Sequence, residues 1–242
     1  MRLTDFKVLT FDCYGTLIDW EGGIFAALRQ LVSKVGAPLS RDEVLEAHAR
    51  HESAQQIITP GKRYSELLAV VYKRLAEDWG VPVGWDECLD YGRTVRDWSA
   101  FDDSVAALRY LQQHYKLVIL SNVDNESFAF ANRKLAVAFD AVFTAEDIGS
   151  YKPDLRNFEY MLEKLSARGV AKEHILHTAE SLFHDHRPAN ELGLASCLIH
   201  RRHAEGGFGA TMNPGVTPHT DFRFTGMAEL AEAHRAALAA AT

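Results

Sequence analysis

The chain has 242 residues, 47% of them hydrophobic and 24% charged, enough apolar material for one substantial core and a small inserted domain. Its 26 Lys and Arg against 33 Asp and Glu give a net charge of −7, which excludes a basic footprint for nucleic acid or an anionic membrane and leaves small anions to a few local positive groups. The start lacks a signal-peptide pattern, no run reaches membrane-spanning length, and Cys13, Cys88 and Cys197 suit neither a disulfide framework nor a zinc site. A cytoplasmic protein is the default expectation.

Residues 7–11 are a short apolar, β-prone run ending at Asp12, with Gly15 and Thr16 as the turn beyond it. Asp12 is therefore expected at the carboxyl end of a strand, where open α/β sheets bind ligands. Residues 24–35, 41–56, 65–79 and 85–96 then carry apolar side chains at helical spacing, with breaks at Gly36-Ala37-Pro38, Thr59-Pro60-Gly61 and 82–84. No strand interrupts them, so they read as a helical insert. Trp20, Trp79 and Trp85 are expected in its core, and Tyr64 is the aromatic residue best suited to line a pocket. A helix over 104–113 precedes a second strand, 117–120, that ends at Ser121-Asn122. Further strands are expected at 141–144, 175–179, 197–200 and 222–224, with helices at 157–167 and 188–192 among them. The four Gly and two Pro of 203–219 predict a long loop beside the sheet's carboxyl edge. This alternation predicts an α/β fold: a Rossmann-like parallel sheet core, residues 1–18 and 99–242, with a helical cap at 19–98.

Four pieces carry the chemistry: Phe11-Asp12-Cys13-Tyr14-Gly15-Thr16-Leu17, Ser121-Asn122, Tyr151-Lys152-Pro153-Asp154, and the acidic pair Glu180 and Asp185. In this order, each placed against a strand, they resemble the four motifs of the haloacid dehalogenase (HAD) superfamily, over nearly the whole chain. Phosphatases of that pattern carry a second Asp two positions after the nucleophile, which protonates the leaving alcohol. Here that position is Tyr14. A halide departs as a stable anion and needs no acid, and Asp-x-Tyr-Gly-Thr is similar to the motif of the L-2-haloacid dehalogenase branch.

The resemblance implies that Asp12 displaces halide from the carbon beside a substrate carboxylate, with inversion, and that water then attacks the Asp12 carbonyl of the resulting ester. It assigns support of Asp12 to Thr16, its ionisation and orientation to Lys152, and orientation of water to Asp185. Ser121, Asn122 and the backbone N–H groups of Cys13 and Tyr14 would hold the substrate carboxylate, and Tyr14 would bring its ring and hydroxyl near the reacting carbon. Arg50 of the cap would receive the halide, and Glu180 or Ser181 would contact the lysine. No metal or cofactor is implied; the expected partner is a small haloacid, with no nucleic acid and no membrane, and the resemblance admits a homodimer for which the sequence shows no interface. His48, His51, His184 and His186 have the chemistry of donors or bases, but isolated histidines on helices or loops are more often structural or exposed, and they read so here. Two alternatives stay open. One is a magnesium phosphatase on the same fold, with Asp12, Glu180 and Asp185 as ligands; the other is a non-catalytic member whose cap binds a partner.

Overall fold

The structure, a computed structural model, describes residues 1–240. Its centre is a six-stranded sheet in which every pairing is parallel, in the order β3-β2-β1-β4-β5-β6. Strand β1 (Val8–Phe11) lies between β2 (Lys116–Ser121) and β4 (Ile175–Ala179), and all its side chains are buried. Beyond these lie β3 (Ala141–Thr144) on one side, and β5 (Ala195–Ile199) and β6 (Phe222–Phe224) on the other. Burial on both faces explains why these strands read as continuous apolar runs rather than alternating ones. Phe11 stands in register with Ile119 and Thr178, so the chains leaving β1, β2 and β4 emerge together at one edge. Strand β5 begins two residues earlier than the sequence suggests, because its pairing with β4 starts at Ala195 opposite Leu176.

The core helices are α5 (Ser104–Leu111), α6 (Asn125–Leu135), α7 (Ala145–Ile148), α8 (Leu155–Ser166), α9 (Arg187–Glu191) and α10 (Met227–Ala239). Helix α6, not singled out from sequence, is started by Asp124, whose side chain accepts from the Ser127 N–H. A π-turn, Leu182–His186, leads into α9. No regular element lies between β5 and β6, where the long loop was expected.

Between β1 and β2 stand the cap helices: α1 (Trp20–Val32), α2 (Arg41–Ile58), α3 (Tyr64–Asp78) and α4 (Trp85–Arg93), then a 3₁₀ turn, Thr94–Asp97. Helix α2 opens with a capping box in which the Ser40 hydroxyl accepts from the Glu43 N–H and the Glu43 carboxylate accepts from the Ser40 N–H. The two chain crossings between core and cap are paired to each other by an antiparallel bridge between Ile18 and Ala100 and by the Asp19 N–H donating to Ser99 O at 2.8 Å. Gly23 packs there against the Trp98 indole, so closely that a Cβ would sit 2.4 Å from the ring. Elsewhere the cap and core share one apolar cluster, and polar ties add to it: Arg202 to Glu21 and Asp42, the Tyr151 hydroxyl to Lys62 O, and the Ser65 N–H to Asp124. Trp85 is 53% exposed and is not the core residue expected of it, whereas half-buried Trp79 packs against the core. No helix among the described residues is long and apolar enough to cross a membrane.

Candidate active site

The site starts where β1 ends. The Asp12 N–H extends the ladder by donating to Thr178 O, and the chain then folds back, with Leu17 and Ile18 N–H both donating to Cys13 O. Gly15 sits at φ +97° in this turn, a conformation that a side chain would strain. The turn leaves Asp12 almost fully buried at the sheet edge, facing the cap. The Thr16 hydroxyl donates to Asp12 Oδ2 at 2.8 Å and accepts from the Glu180 N–H at 2.9 Å, which ties the ends of β1 and β4 together.

Lys152 completes the arrangement from the loop before α8. Its buried ammonium donates to Asp12 Oδ1 at 2.9 Å, to Asp185 Oδ1 at 2.7 Å and to Leu120 O at 3.0 Å, using all three of its protons. The Asn122 amide fixes the lysine backbone: Oδ1 accepts from Lys152 N–H, and Nδ2 donates to Lys152 O. Behind Asp185 a relay runs into the sheet. His177 Nε2–H donates to Asp185 Oδ1 and the Thr10 hydroxyl donates to His177 Nδ1, each at 2.9 Å. A carboxylate accepts only, which fixes this tautomer.

Burial pushes the Asp12 carboxyl up; Lys152 opposes the rise and the Asp185 charge adds to it. Asp185 is buried too, but Lys152 and His177 hold it well below the usual carboxylate range. Burial would favour the neutral amine of Lys152, yet the two carboxylates outweigh it and raise the lysine above its ordinary value. Asp185 therefore keeps its charge most firmly, and Asp12 is the carboxylate with electron density to give.

The cap supplies the other wall of a small cavity over Asp12. Trp20, Glu52, Gln56 and Tyr64 line it from α1, α2 and α3. Trp20 Nε1 donates to the Tyr64 hydroxyl at 3.1 Å, and that hydroxyl is also bonded to the Glu52 carboxyl. Burial pushes Glu52 up to about 8, against the Tyr64 bond, so it is largely protonated at neutral pH. His184 of the π-turn lines the same cavity.

Several sequence expectations change here. Arg50 is exposed and does not line the cavity; it lies two positions from both His48 and Glu52, which points it away from the buried face of α2. The Tyr14 ring lines the cavity and packs edge-on to Trp98, but its hydroxyl donates to Ser127 O at 3.0 Å rather than serving a reacting carbon. Neither Glu180 nor Ser181 contacts Lys152; Asp185 does. Half-buried Glu180 lines a neighbouring cavity with Glu21, Arg201 and Arg202, and burial together with Glu21 and Asp12 pushes it up to about 8. Ser121 is buried with its hydroxyl unpartnered. Cys13 is buried, and neither its N–H nor that of Tyr14 has an acceptor among the described residues. No group of three or more His, Cys, Asp or Glu placed to hold a metal ion occurs among the described residues.

Sequence reasoning missed His177, Glu52, Gln56 and the cavity position of His184 and Trp20. A histidine inside the apolar run Ile175–Ala179 was a signal for the first. The spacing of His48, Glu52 and Gln56, four apart on one helical face, was a signal for the cap side.

A family model described as haloacid dehalogenase-like hydrolase matches residues 6–178. The putative HAD-hydrolase YfnB of Bacillus subtilis is 25% identical over 204 residues, covering 80% of this chain and 84% of its own. Among solved structures, the L-2-haloacid dehalogenase from Xanthobacter autotrophicus superposes with a TM-score of 0.74 at 17% identity, covering 95% of this chain and 98% of that one. The defluorinating L-2-haloacid dehalogenase Rha0230 gives 0.75 at 19% identity, covering 97% and 99%. At such identities these structures establish the shared fold alone.

Proposed function

The chain belongs to the haloacid dehalogenase-like hydrolases, and on that premise we propose that it is a 2-haloacid dehalogenase that works through an ester on Asp12. One Asp12 oxygen attacks the halogenated carbon, a carbon–oxygen bond forms, and the carbon–halogen bond breaks with its electron pair leaving on the halide. Water then adds to the Asp12 carbonyl carbon and frees the 2-hydroxy acid. Lys152 and Thr16 aim the two Asp12 oxygens, and His177 and Asp185 anchor the lysine. The free N–H groups of Cys13 and Tyr14 and the lysine charge are the donors open to a substrate carboxylate; the Ser121 hydroxyl, though unpartnered, is buried outside the cavity lining.

The observation that carries this reading is Tyr14. It stands where an alkoxide-releasing relative needs an acid, and its hydroxyl proton is committed to Ser127 O. A halide needs no such proton. A magnesium phosphatase using Asp12, Glu180 and Asp185 fits less well, because Lys152 bridges the two aspartates and Glu180 opens into the neighbouring cavity. The test is halide release from chloroacetate and 2-chloropropionate with excess chelator, beside an Asp12→Asn variant. Chelator-resistant release that the variant lacks supports the reading. Magnesium-dependent release of phosphate from p-nitrophenyl phosphate, with no halide release, overturns it.

A further inference from the structure

Ester hydrolysis needs a base for the attacking water, and the usual first choice, Asp185, is poorly placed to be one. Asp185 lines the cavity, but its Oδ1 is shared by Lys152 and His177, its Oδ2 is buried without a partner, and its charge is strongly stabilised where it is. Three buried histidines surround it, and they differ in one respect. His177 spends both ring nitrogens on Thr10 and Asp185, and His186 spends both on Ser196 Oγ and Ala179 O. His184 has only Nδ1 engaged, with Ser181 Oγ at 3.1 Å. Its Nε2 has no partner among the described residues and, unlike both ring nitrogens of His48, is not shut off in the interior. The ring lines the cavity that holds Asp12. The π-turn places it there, since the Ser181 hydroxyl at its start also accepts from the His184 N–H at 3.0 Å.

We propose that His184 is the base of the second half-reaction, taking a proton at Nε2 from the water that attacks the covalent adduct on Asp12, while Nδ1–H donates to Ser181 Oγ. The inference rests on the reading of Asp12 as the nucleophile. The water oxygen bonds to Asp12 Cγ as its proton passes to Nε2. The bond from Cγ to the ester oxygen then breaks, and the departing alkoxide takes that proton back, leaving a neutral imidazole and an Asp12 carboxyl that gives its proton to solvent. Burial depresses His184 to about 4; Asp185 counters this and Lys152 adds to it, so the ring is a neutral acceptor at ordinary pH. The charged and titratable groups facing the same space are Asp12, Tyr14, Asp185 and Lys152 from the core and Glu52 and Tyr64 from the cap.

The experiment compares His184→Asn with the wild-type chain in a single-turnover assay with 2-chloropropionate, following halide and the mass of the acid-quenched protein. The variant is expected to release about one equivalent of halide, to retain the adduct on Asp12, and to turn over at least about 10²-fold more slowly; the adduct itself proves a folded site. Steady turnover near the wild-type rate, or loss of the halide burst together with turnover, overturns the proposal. If the wild type releases no halide, the dehalogenase reading fails separately, and p-nitrophenyl phosphate with magnesium becomes the probe, with a retained aspartyl phosphate as the expected species. Inactivity toward both removes Asp12 as nucleophile and the proposal with it. Ring-nitrogen NMR of the wild type tests the same point without substrate: His184 protonated at Nδ1 and bare at Nε2 between pH 5 and 8 is expected, and a proton on Nε2 overturns the assignment.

Discussion

The two walls of the cavity are built on opposite principles. On the core side every charge has a partner: Lys152 bridges Asp12 and Asp185, and Thr16, His177, Thr10 and Asn122 fix the orientation of each. On the cap side the polar groups are buried without counter-charges. Glu52 is held protonated, His48 has both ring nitrogens unpartnered and is depressed to about 3 by burial, and the Gln55 Oε1 has no donor. The core wall is a rigid device for one kind of electron flow. At the cavity itself the cap wall presents the uncharged Glu52 carboxyl and the Gln56 amide, with the His48 ring and Gln55 Oε1 shut away behind them, which is the arrangement expected of a selecting surface.

Removing the nucleophile should break this contrast most severely. Asp12→Asn is expected to lower turnover by about 10⁴-fold or more, read as halide release, with the fold kept because the amide can still accept from Lys152. Lys152→Met strips the charge from between two carboxylates, and a loss of about 10³-fold in kcat is expected. A smaller loss would mean that Asp12 is not held ready by that ammonium. On the cap wall, Glu52→Gln should chiefly alter stability. Glu52 is protonated in the folded chain up to about pH 8 and in the unfolded chain only to about 4.5, so native protein binds the extra proton and stability declines as pH rises from 4.5 to 8. The variant should therefore gain on the wild type across that window, by of the order of a few kcal/mol at pH 8, as denaturant titrations at several pH values would reveal. Least affected should be Arg50→Ala, within about 0.5 kcal/mol in stability and twofold in turnover, because the side chain is solvated. A large loss there would return the halide to Arg50.

The core wall was legible in sequence because its residues sit at strand ends, where a short apolar run followed by a polar residue marks a position in space. Asp12, Ser121 and Glu180 are each found directly after or at the end of a strand. The cap wall was not legible in the same way. The buried face of α2 carries His48, Glu52, Gln55 and Gln56, the residue types that periodicity assigns to solvent, so the inward side of the helix looked like its outward side. Arg50 was implied by the resemblance, without a spacing that fixed which side of the helix it takes. The relay through His177 was hidden for a different reason: Thr10 is distant in sequence and is brought beside it only by the pairing of β1 with β4, and Asp185, though nearby in sequence, is turned back onto it by the π-turn.

The paired crossings at Ile18 and Ala100 also bear on timing. Two chain segments bonded to each other at the same level give the cap one line about which to swing, and the ties to be released on opening include ionic ones, Arg202 with Glu21 and Asp42 among them. Escape of product would then be the salt-sensitive stage of the cycle. Steady-state turnover is expected to quicken with ionic strength while the halide burst keeps its rate. A burst that quickens in parallel would mean that the cap does not gate release.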